Sequence, residues 1–343
     1  MTIQGKIIDT TLREGEQTPG VRFSLEQKKR IIDSLAAIGV AEVEVGISSR
    51  RLDAPQQLIN YCRQIHPGLR LSLWSRCRSG DISHAAALSP DILSLSVPVS
   101  DIHLEKKFNR NRTWARKSML NGILLAKKQG LAVSMGFEDA TRGDKAFICD
   151  MAVLATRAGA ERIRIADTVG IASPLGITDL LSAIRRKVGS IQLALHAHND
   201  FGMATANAIT ALEAGAEWVD GVILGLGERA GCARLEELVG YLSIIKGVQV
   251  LKSDQIKTLA SYVAGIVNKK IDGQHPLLGN DIFTCETGLH LQGLLLEPET
   301  YEPYCPERIG AQRKLLFGVK SGRKALKQRL DHITGHEQGR AYR

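Results

Sequence analysis

The feature of this sequence that most restricts its fold is a regular alternation of two kinds of segment. Amphipathic stretches with helical spacing, such as "SLEQKKRIIDSLAAIG" and "DKAFICDMAVLATRAGA", each close on or next to a glycine, as helices often do. Between them lie apolar, β-branched segments typical of buried strands: Lys6 to Leu12, Ala41 to Gly46, Leu69 to Trp74, Asp91 to Val97, Leu131 to Phe137, Arg162 to Ala166, Gln192 to Ala197 and Val219 to Leu224. Eight strand and helix units within about 245 residues predict an α/β protein with a (β/α)8 TIM barrel.

The same alternation is compatible with a doubly wound open sheet. No GxGxxG motif follows the first predicted strand, and this favours the barrel. Residues 235–246 would supply the last barrel helix and residues 253–270 a further helix, after which the sequence becomes irregular and ends in a basic tail. We therefore predict a catalytic barrel domain over residues 1–248 and a small helical and irregular C-terminal extension over residues 249–343.

The composition excludes several functional classes. The N-terminus has no basic region followed by an apolar one, and no run of about eighteen apolar residues occurs, so a cytoplasmic protein without membrane contact is expected. The six cysteines are scattered and form no CxxC pair, which favours reduced thiols. The net charge of +9 is dispersed and aromatic residues make up only 5%, so nucleic acid is a poor candidate partner. Small anionic substrates fit this charge better.

Polar residues occur at the carboxyl end of nearly every predicted strand, where barrels of this type carry their active sites. A single such residue is most often a solvated loop group. Because the strands of a barrel direct these ends into one mouth, the whole set predicts a polar active site. Its members are Arg13, Glu14, Gln17, Glu44, Ser96, Glu138, Asp139, Asp167, Thr168, His196, His198, Asn199, Asp200, Glu228 and Arg229.

The tripeptide "HAH" at residues 196–198 is the sharpest signal in this set. Alternate residues of a strand share a face, so His196 and His198 can bind one cation. Glu14 is the candidate carboxylate that would complete a facial triad. Such a site keeps open positions for a substrate, as a catalytic metal requires. The spacing alone leaves open the alternative that the two histidines are only hydrogen-bonded within a loop.

Seven segments occur in a characteristic order: "DTTLREGEQTPG", "EVEVG", "SVPVSDIHLEKKFNR", "FEDATR", "RIADTVG", "HAHNDFGMATANAITALEAGAEWVDGVILGLGERAG" and "ETGLHLQGLL". Together they resemble the Claisen-condensing enzymes related to 2-isopropylmalate synthase, and among these the homocitrate synthases of the nitrogen-fixation type. The resemblance runs from about Ile7 to about Gly322. It implies a metal-dependent (β/α)8 barrel that adds the methyl carbon of acetyl-CoA to a 2-oxo acid and then hydrolyses the thioester.

The resemblance also implies roles for individual residues. The implied metal ligands are Glu14, His196 and His198, and the implied catalytic residues are Arg13, Glu44, His290 and Tyr301. Arg13 would stabilise the alkoxide that develops on the 2-oxo group. His290 would remove a proton from the thioester methyl group, with Glu44 orienting or relaying. The nitrogen and oxygen donors suit Zn²⁺, Mn²⁺, Fe²⁺ or Mg²⁺ as the divalent cofactor.

The substrate implied by the resemblance is 2-oxoglutarate, with acetyl-CoA as co-substrate and homocitrate and CoA as products. Candidate substrate-binding residues are Gln17, His103, Ser134 and Thr168. Lysine-pathway homocitrate synthases have an arginine on the fifth strand where this chain has Ser134, so the distal carboxylate would be bound elsewhere, by His103 or by main-chain donors. Basic residues such as Lys107 are candidates for the same role, or are ordinary surface charges. Other 2-oxo acids, as in isopropylmalate or citramalate synthases, and a related acyl-CoA lyase reaction remain open.

The chain departs from the family pattern at a few positions. Relatives usually read "GERAGN" where this chain has Cys232, and that asparagine lies near the metal in some of them. A thiolate is softer than an amide, so this change could alter the metal preference. Relatives also place the C-terminal extension across a neighbouring subunit. A homodimer in which each site receives His290 from its partner is therefore expected.

Overall fold

The computed structural model describes residues 5–52 and 54–322. Eight parallel strands follow one another around a closed barrel, and the first strand pairs with both the second and the eighth. The prediction of a TIM barrel is confirmed. The strands are β1 (Lys6–Asp9), β2 (Glu42–Ile47), β3 (Arg70–Arg76), β4 (Ile92–Pro98), β5 (Ala132–Glu138), β6 (Arg162–Asp167), β7 (Gln192–Ala197) and β8 (Trp218–Gly221).

The helices between and after the strands match the predicted amphipathic stretches. Helix α1 begins with a capping box between Ser24 and Gln27 and ends at Gly39, which has a left-handed φ of 89°. The barrel helices are α1 (Leu25–Ile38), α2 (Ala54–Ile65), α3 (Ser79–Leu88), α4 (Arg112–Lys128), α5 (Lys145–Arg157), α6 (Pro174–Val188), α7 (Ala204–Glu213) and α8 (Leu235–Gly240). No helix of the described part of the chain is both long and apolar enough to cross a membrane.

The chain continues beyond the barrel as two helices and a short sheet. Helix α9 (Ile256–Ile266) packs near α1 and α8, and α10 (Gly288–Leu296) follows it. The strands β9 (Thr284–Cys285) and β10 (Lys314–Leu315) form a two-stranded parallel sheet. The helix predicted over residues 253–270 is thus present, and the part of the predicted extension from 323 to 343 lies outside the described residues.

The strands divide their residues between two environments with a period of two. Odd-numbered residues such as Val43, Leu95 and Ile163 face the helices and form the main hydrophobic core. Several even-numbered residues contact one another inside the barrel, where Ile8, Ala194 and Trp218 form a separate small apolar cluster. The remaining interior of β2, β6, β7 and β8 is charged or polar, and this arrangement positions the site.

Strands β1 and β8 are shorter than the sequence predicted. The chain turns directly after β1 because the carbonyl of Thr10 accepts hydrogen bonds from the N–H groups of Arg13 and Glu14, at 3.1 and 2.7 Å. Strand β8 ends at Gly221, and Leu224 then adopts a left-handed φ of 57° in a tight turn. Both turns lead directly into the loops at the carboxyl ends of the strands.

Candidate active site

A polar cavity of about 290 Å³ opens at the carboxyl ends of the strands. Side chains from seven of the eight strands or the loops after them line it, at the barrel mouth where the sequence predicted a polar site. Its walls include Arg13, Glu14, Gln17, Trp74, Ser96, His103, Lys107, Gly136, Glu138, Arg164, Thr168, His196, His198 and Glu228.

Three buried residues that line this cavity, together with one beside them, form a candidate metal centre. Glu14, His196, His198 and Cys232 each offer one ligand atom, and these atoms all lie within 4.8 Å of one another. The Nε2 atoms of His196 and His198 lie 3.6 and 4.0 Å from the two carboxylate oxygens of Glu14. The imidazole rings are nearly perpendicular, with centroids 5.0 Å apart. Glu14, His196 and His198 are the three ligands that the family resemblance implied.

The chemistry of this cluster fits a divalent cation. Glu14 is 2% exposed, and its Oε1 atom is buried without a hydrogen-bond partner among the described residues. A buried carboxylate oxygen normally has a partner, so this oxygen has the environment of a ligand atom. Burial lowers the pKa of His198 to about 3, so this imidazole is neutral and can offer a lone pair at neutral pH.

A closed ring of ion pairs and short contacts links two members of this cluster to four charged residues of the barrel interior and mouth. Arg13 donates from Nε to Glu44 at 2.6 Å and from Nη1 to Glu14. Arg164 donates to the other oxygen of Glu44 at 2.7 Å and also to Asp220. The ring, defined as Glu14, Arg13, Glu44, Arg164, Asp220 and His196, closes where Asp220 meets Nδ1 of His196 at 2.6 Å and His196 approaches Glu14.

The charges of this ring do not balance within the protein. Although burial opposes ionisation, Arg13 holds the pKa of Glu14 below its ordinary value, and Arg164 does the same for Asp220. Glu44 is likewise held well below its ordinary pKa by Arg13 and Arg164 against the effect of burial. Three carboxylates therefore face two guanidinium groups. One negative charge remains, and it favours the binding of a cation.

Glu44, expected as a catalytic residue, is fully buried and does not line the cavity. Both of its oxygens accept hydrogen bonds from arginine side chains. A carboxylate held in this way has no free oxygen with which to take a proton from a substrate. Of the two roles expected for it, the structure favours orienting Arg13.

Three of the four predicted substrate-binding residues line the cavity, and Ser134 does not. Gln17 and His103 contribute to the walls, and the hydroxyl oxygen of Thr168 accepts a hydrogen bond from the N–H of Asp139 at 2.8 Å. Ser134 is fully buried deeper in the barrel, where it accepts a hydrogen bond from Arg162 at 3.0 Å. Residue 134 lies one inward position too deep, and Gly136 and Glu138 are the residues of β5 that reach the cavity.

His290 and Tyr301 lie outside the cavity in this single chain. Their rings stack on each other with centroids 4.1 Å apart, and both side chains are exposed. They belong to α10 and the turn that follows it, beyond the barrel. The chain on its own does not bring the expected base to the expected metal ligands.

Several other strand-end residues hold loops in place. Asp167 accepts a hydrogen bond from the Thr141 hydroxyl at 2.6 Å and others from backbone N–H groups of the following loop. Asp200 forms a two-pronged ion pair with Arg229, at 2.8 and 2.9 Å. These residues shape the rim of the barrel mouth without offering a free group to the cavity.

Arg164 and Asp220 are functional-site residues that the sequence analysis did not name. A signal for Arg164 was present in the segments "EVEV" of β2 and "RIRI" of β6, which alternate charged and apolar residues. With a period of two, both glutamates and both arginines face the barrel interior. Asp220 stands alone in an apolar strand and had no comparable pattern around it.

Comparison with known proteins agrees with this geometry. The profile of the HMGL-like family matches residues 4–263, and a homocitrate synthase post-HMGL domain-like profile matches residues 277–339. The homocitrate synthase of Frankia alni is 38% identical over 95% of this chain and 93% of its own length. The 2-isopropylmalate synthase 2 of Caldanaerobacter subterraneus is 38% identical over 93% of this chain and 83% of its own length.

Among solved structures, hydroxymethylglutaryl-CoA lyase from Pseudomonas aeruginosa superposes with a TM-score of 0.70. The match covers 79% of this chain and 95% of that one at 17% sequence identity, and so it supports the barrel fold alone.

The fold and the cluster together define a (β/α)8 barrel with a candidate metal centre at its catalytic end. The chain belongs to the HMGL-like family. The resemblance to the homocitrate and isopropylmalate synthases, predicted from seven motifs, is confirmed by the family profiles and by relatives that match most of the chain.

Proposed function

We propose that this protein is an acyltransferase that condenses acetyl-CoA with 2-oxoglutarate to give homocitrate and CoA, as a homocitrate synthase of the nitrogen-fixation type. One observation carries the proposal. Glu14, His196, His198 and Arg13 line one cavity in a chain that is 38% identical to a homocitrate synthase over nearly its whole length. The free state of all six cysteines supports a cytoplasmic location.

The residues of the barrel mouth would prepare the 2-oxo acid for attack. When a divalent cation is bound by Glu14, His196 and His198, it supplies Lewis acidity toward the 2-oxo group. Asp220 receives the Nδ1 proton of His196 and so leaves Nε2 free to act as a ligand. Arg13, fixed by Glu44, would stabilise the negative charge that develops on the 2-oxo oxygen.

Thr168 is suited to hold the substrate carboxylate next to the reacting carbonyl. Its oxygen already accepts the N–H of Asp139. Its own hydroxyl hydrogen is therefore available to donate to a carboxylate in the cavity. This arrangement would orient the 2-oxo acid without requiring another charged group.

The distal carboxylate of 2-oxoglutarate would lie near His103 and Lys107. Both side chains line the cavity, and both approach the same oxygen of Glu138, at 3.0 and 2.7 Å. Both side chains can donate a hydrogen bond, so they can also contact a carboxylate of the substrate. We therefore assign the selection of a dicarboxylic substrate to this pair.

Acetyl-CoA would enter through a second cleft next to the first. This cleft has a volume of about 970 Å³ and shares Arg13 and Gln17 with the smaller cavity. Apolar side chains such as Phe23 and Ile47 and the basic residues Arg22 and Lys28 line it. Such a surface suits an extended thioester that carries phosphate groups.

The proton of the thioester methyl group would pass to His290 of the partner subunit. The methyl carbon then bonds to the 2-oxo carbon, the carbonyl oxygen becomes an alkoxide and is protonated, and water hydrolyses the thioester to release CoA. We propose a homodimer because His290 and its neighbour Tyr301 are exposed and lie outside the cavity of their own chain.

The proposal is tested by thiol release from acetyl-CoA in the presence of 2-oxoglutarate, pyruvate or a branched apolar 2-oxo acid. We expect the highest kcat/KM with 2-oxoglutarate. The His103→Ala variant should raise the KM for 2-oxoglutarate and leave the KM for pyruvate unchanged, because pyruvate has no distal carboxylate. Release of CoA only with another 2-oxo acid would overturn the substrate, and cleavage of a hydroxyacyl-CoA without any condensation would overturn the reaction.

A further inference from the structure

The proposed metal centre contains a fourth potential ligand that the facial triad does not use. Cys232 is 2% exposed, and its sulfur is one of the four donor atoms that lie within 4.8 Å of one another. We propose that the Cys232 sulfur is a fourth protein ligand of the cation and that it makes this site select Co²⁺, Zn²⁺ or Fe²⁺ over Mg²⁺ and Mn²⁺. The inference rests on the metal site of the proposed function.

The backbone fixes Cys232 beside the histidine ligands. Residues His198 and Cys232 form an isolated antiparallel bridge. On either side of it, the N–H of Asn199 donates to Gly231 at 2.8 Å and the N–H of Ala233 donates to Ala197 at 3.2 Å. The thiol is therefore held by a short ladder rather than carried by a free loop.

Only a glycine fits at residue 231, directly before Cys232. The φ of Gly231 is +84°, and a Cβ atom there would lie 1.8 Å from the carbonyl oxygen of Gly225. Gly227 packs from the other side, where a Cβ atom would lie 3.0 Å from the Cys232 sulfur and 3.6 Å from Glu14. A side chain at residue 227 would therefore crowd both the sulfur and Glu14.

One polar atom beside the sulfur lacks a partner in the described part of the chain. The Oε1 atom of Glu14 is buried and unpartnered among the described residues. The Cys232 sulfur contacts Nδ1 of His198 at 3.7 Å, within hydrogen-bond range for sulfur, so the thiol lies against one of the histidine ligands. A cation among these donors would give the carboxylate oxygen the partner it lacks and would take the neighbouring sulfur as a ligand.

A sulfur ligand changes which ions the site prefers. Thiolates favour soft and borderline cations, whereas Mg²⁺ and Mn²⁺ favour oxygen donors. Four protein ligands also leave two positions on a six-coordinate ion, enough for the two oxygens of a chelating 2-oxo acid. Cys232 would thus tune the metal without closing the site to substrate.

The test is the electronic absorption of the protein after its metal is removed and replaced by Co²⁺. A sulfur ligand gives an intense near-ultraviolet charge-transfer band, which a neighbouring but unbound thiol does not give. We expect the band in the parent and its loss in Cys232→Ser and Cys232→Asn. The matched control is Cys62→Ser, because Cys62 is also a buried free cysteine but lies in α2, outside the cluster.

Metal competition provides the second measurement. Cys232→Asn should weaken Co²⁺ binding by roughly 10- to 100-fold or more, while Mg²⁺ binding should change little. One equivalent of bound Co²⁺ without the band in the parent would overturn the inference, since Cys232 would then only neighbour His198. Failure of the parent to bind any divalent ion would instead overturn the metal site and the proposed function with it.

Discussion

Arg164 is the residue through which the ring of ion pairs is most directly tested. It bridges Glu44 and Asp220, and these two carboxylates in turn hold Arg13 and His196. Arg164→Met keeps a long apolar side chain in the barrel but removes the bridge. Asp220 would then be held by His196 alone and could shift, carrying the imidazole with it.

The expected magnitude follows from the burial of the residues concerned. Removing one partner of a buried ion pair typically costs about 3 to 5 kcal/mol, because the other charge stays buried. Glu44 keeps Arg13 and Asp220 keeps His196, so we expect a loss near the lower end, about 3 kcal/mol. Groups that orient a metal-binding histidine typically contribute about 10- to 100-fold to metal affinity, and we expect a loss of that size.

A second buried arginine offers a matched control. Arg162 lies one inward position deeper on the same strand, is 1% exposed and forms a two-pronged pair with Glu42 at 2.7 and 3.0 Å. It contacts neither the ring nor the candidate ligands. Arg162→Met should therefore destabilise the protein by a similar amount, about 3 kcal/mol, and leave the metal affinity unchanged.

Two measurements separate the effects. Urea denaturation of the metal-free proteins gives the free energy of unfolding, and competition with a chelating dye gives the metal affinity. We expect both variants to lose stability and only Arg164→Met to lose affinity. If the two variants bound metal equally well, the ring would be a structural feature of the barrel and would not position the metal ligands.

Three further predictions concern other parts of the molecule. Arg13→Lys keeps the charge but loses the planar guanidinium group, so kcat should fall by about tenfold, with little change in the KM for acetyl-CoA. A kcat equal to that of the parent would show that Arg13 does not stabilise the transition state. Burial raises the pKa of Glu236 from 4.5 to about 7, so its proton stabilises the folded state at low pH and this stabilisation is lost as the pH rises through about 7. Glu236→Gln can still accept the N–H of Leu224, and its unfolding free energy, measured in urea at several pH values, should lack this decline. In mixtures of Arg13→Ala and His290→Ala chains, about a quarter of the sites should recover activity if the dimer shares its sites; confirmed subunit exchange without recovery would contradict that assembly.

The fold was predictable because its signals are local. Period-two apolar segments alternate with helical ones, and their ends are marked by residues such as Ser24 and Gly39, which form the caps of α1. The ends of β1 and β8 were predicted too late in the chain. Their apolar sequence continues past the strand, while the backbone hydrogen bonds to Thr10 and the left-handed turn at Leu224 stop it.

The candidate ligands were predictable for a similar reason. The spacing of His196 and His198 places both on one face of a strand, and the family motifs supplied Glu14. The pairing of Arg164 with Glu44 and Asp220 was not predictable, because it crosses the barrel between strands that are not neighbours. Ser134 shows the same limit, since only the register of the closed barrel decides which inward residue of β5 reaches the cavity.

The barrel interior holds two layers of charged side chains, and they differ in how completely their polar atoms are paired. The deeper layer contains Glu42 and Arg162, and the upper layer is the ring of ion pairs described above. In the deeper layer, neither Glu42 nor Arg162 has a buried polar side-chain atom without a hydrogen-bond partner. In the upper layer, among the described residues, Glu14 and Asp220 each retain an unpartnered oxygen and Arg164 an unpartnered Nε. Because the buried ion pair of Glu42 and Arg162 is fully hydrogen-bonded, unpartnered atoms are not a general property of the charged residues in this barrel. The unpartnered oxygen of Glu14, in a cluster with two histidines and a cysteine, is therefore the observation that most favours a candidate cation site over a network that only stabilises the barrel.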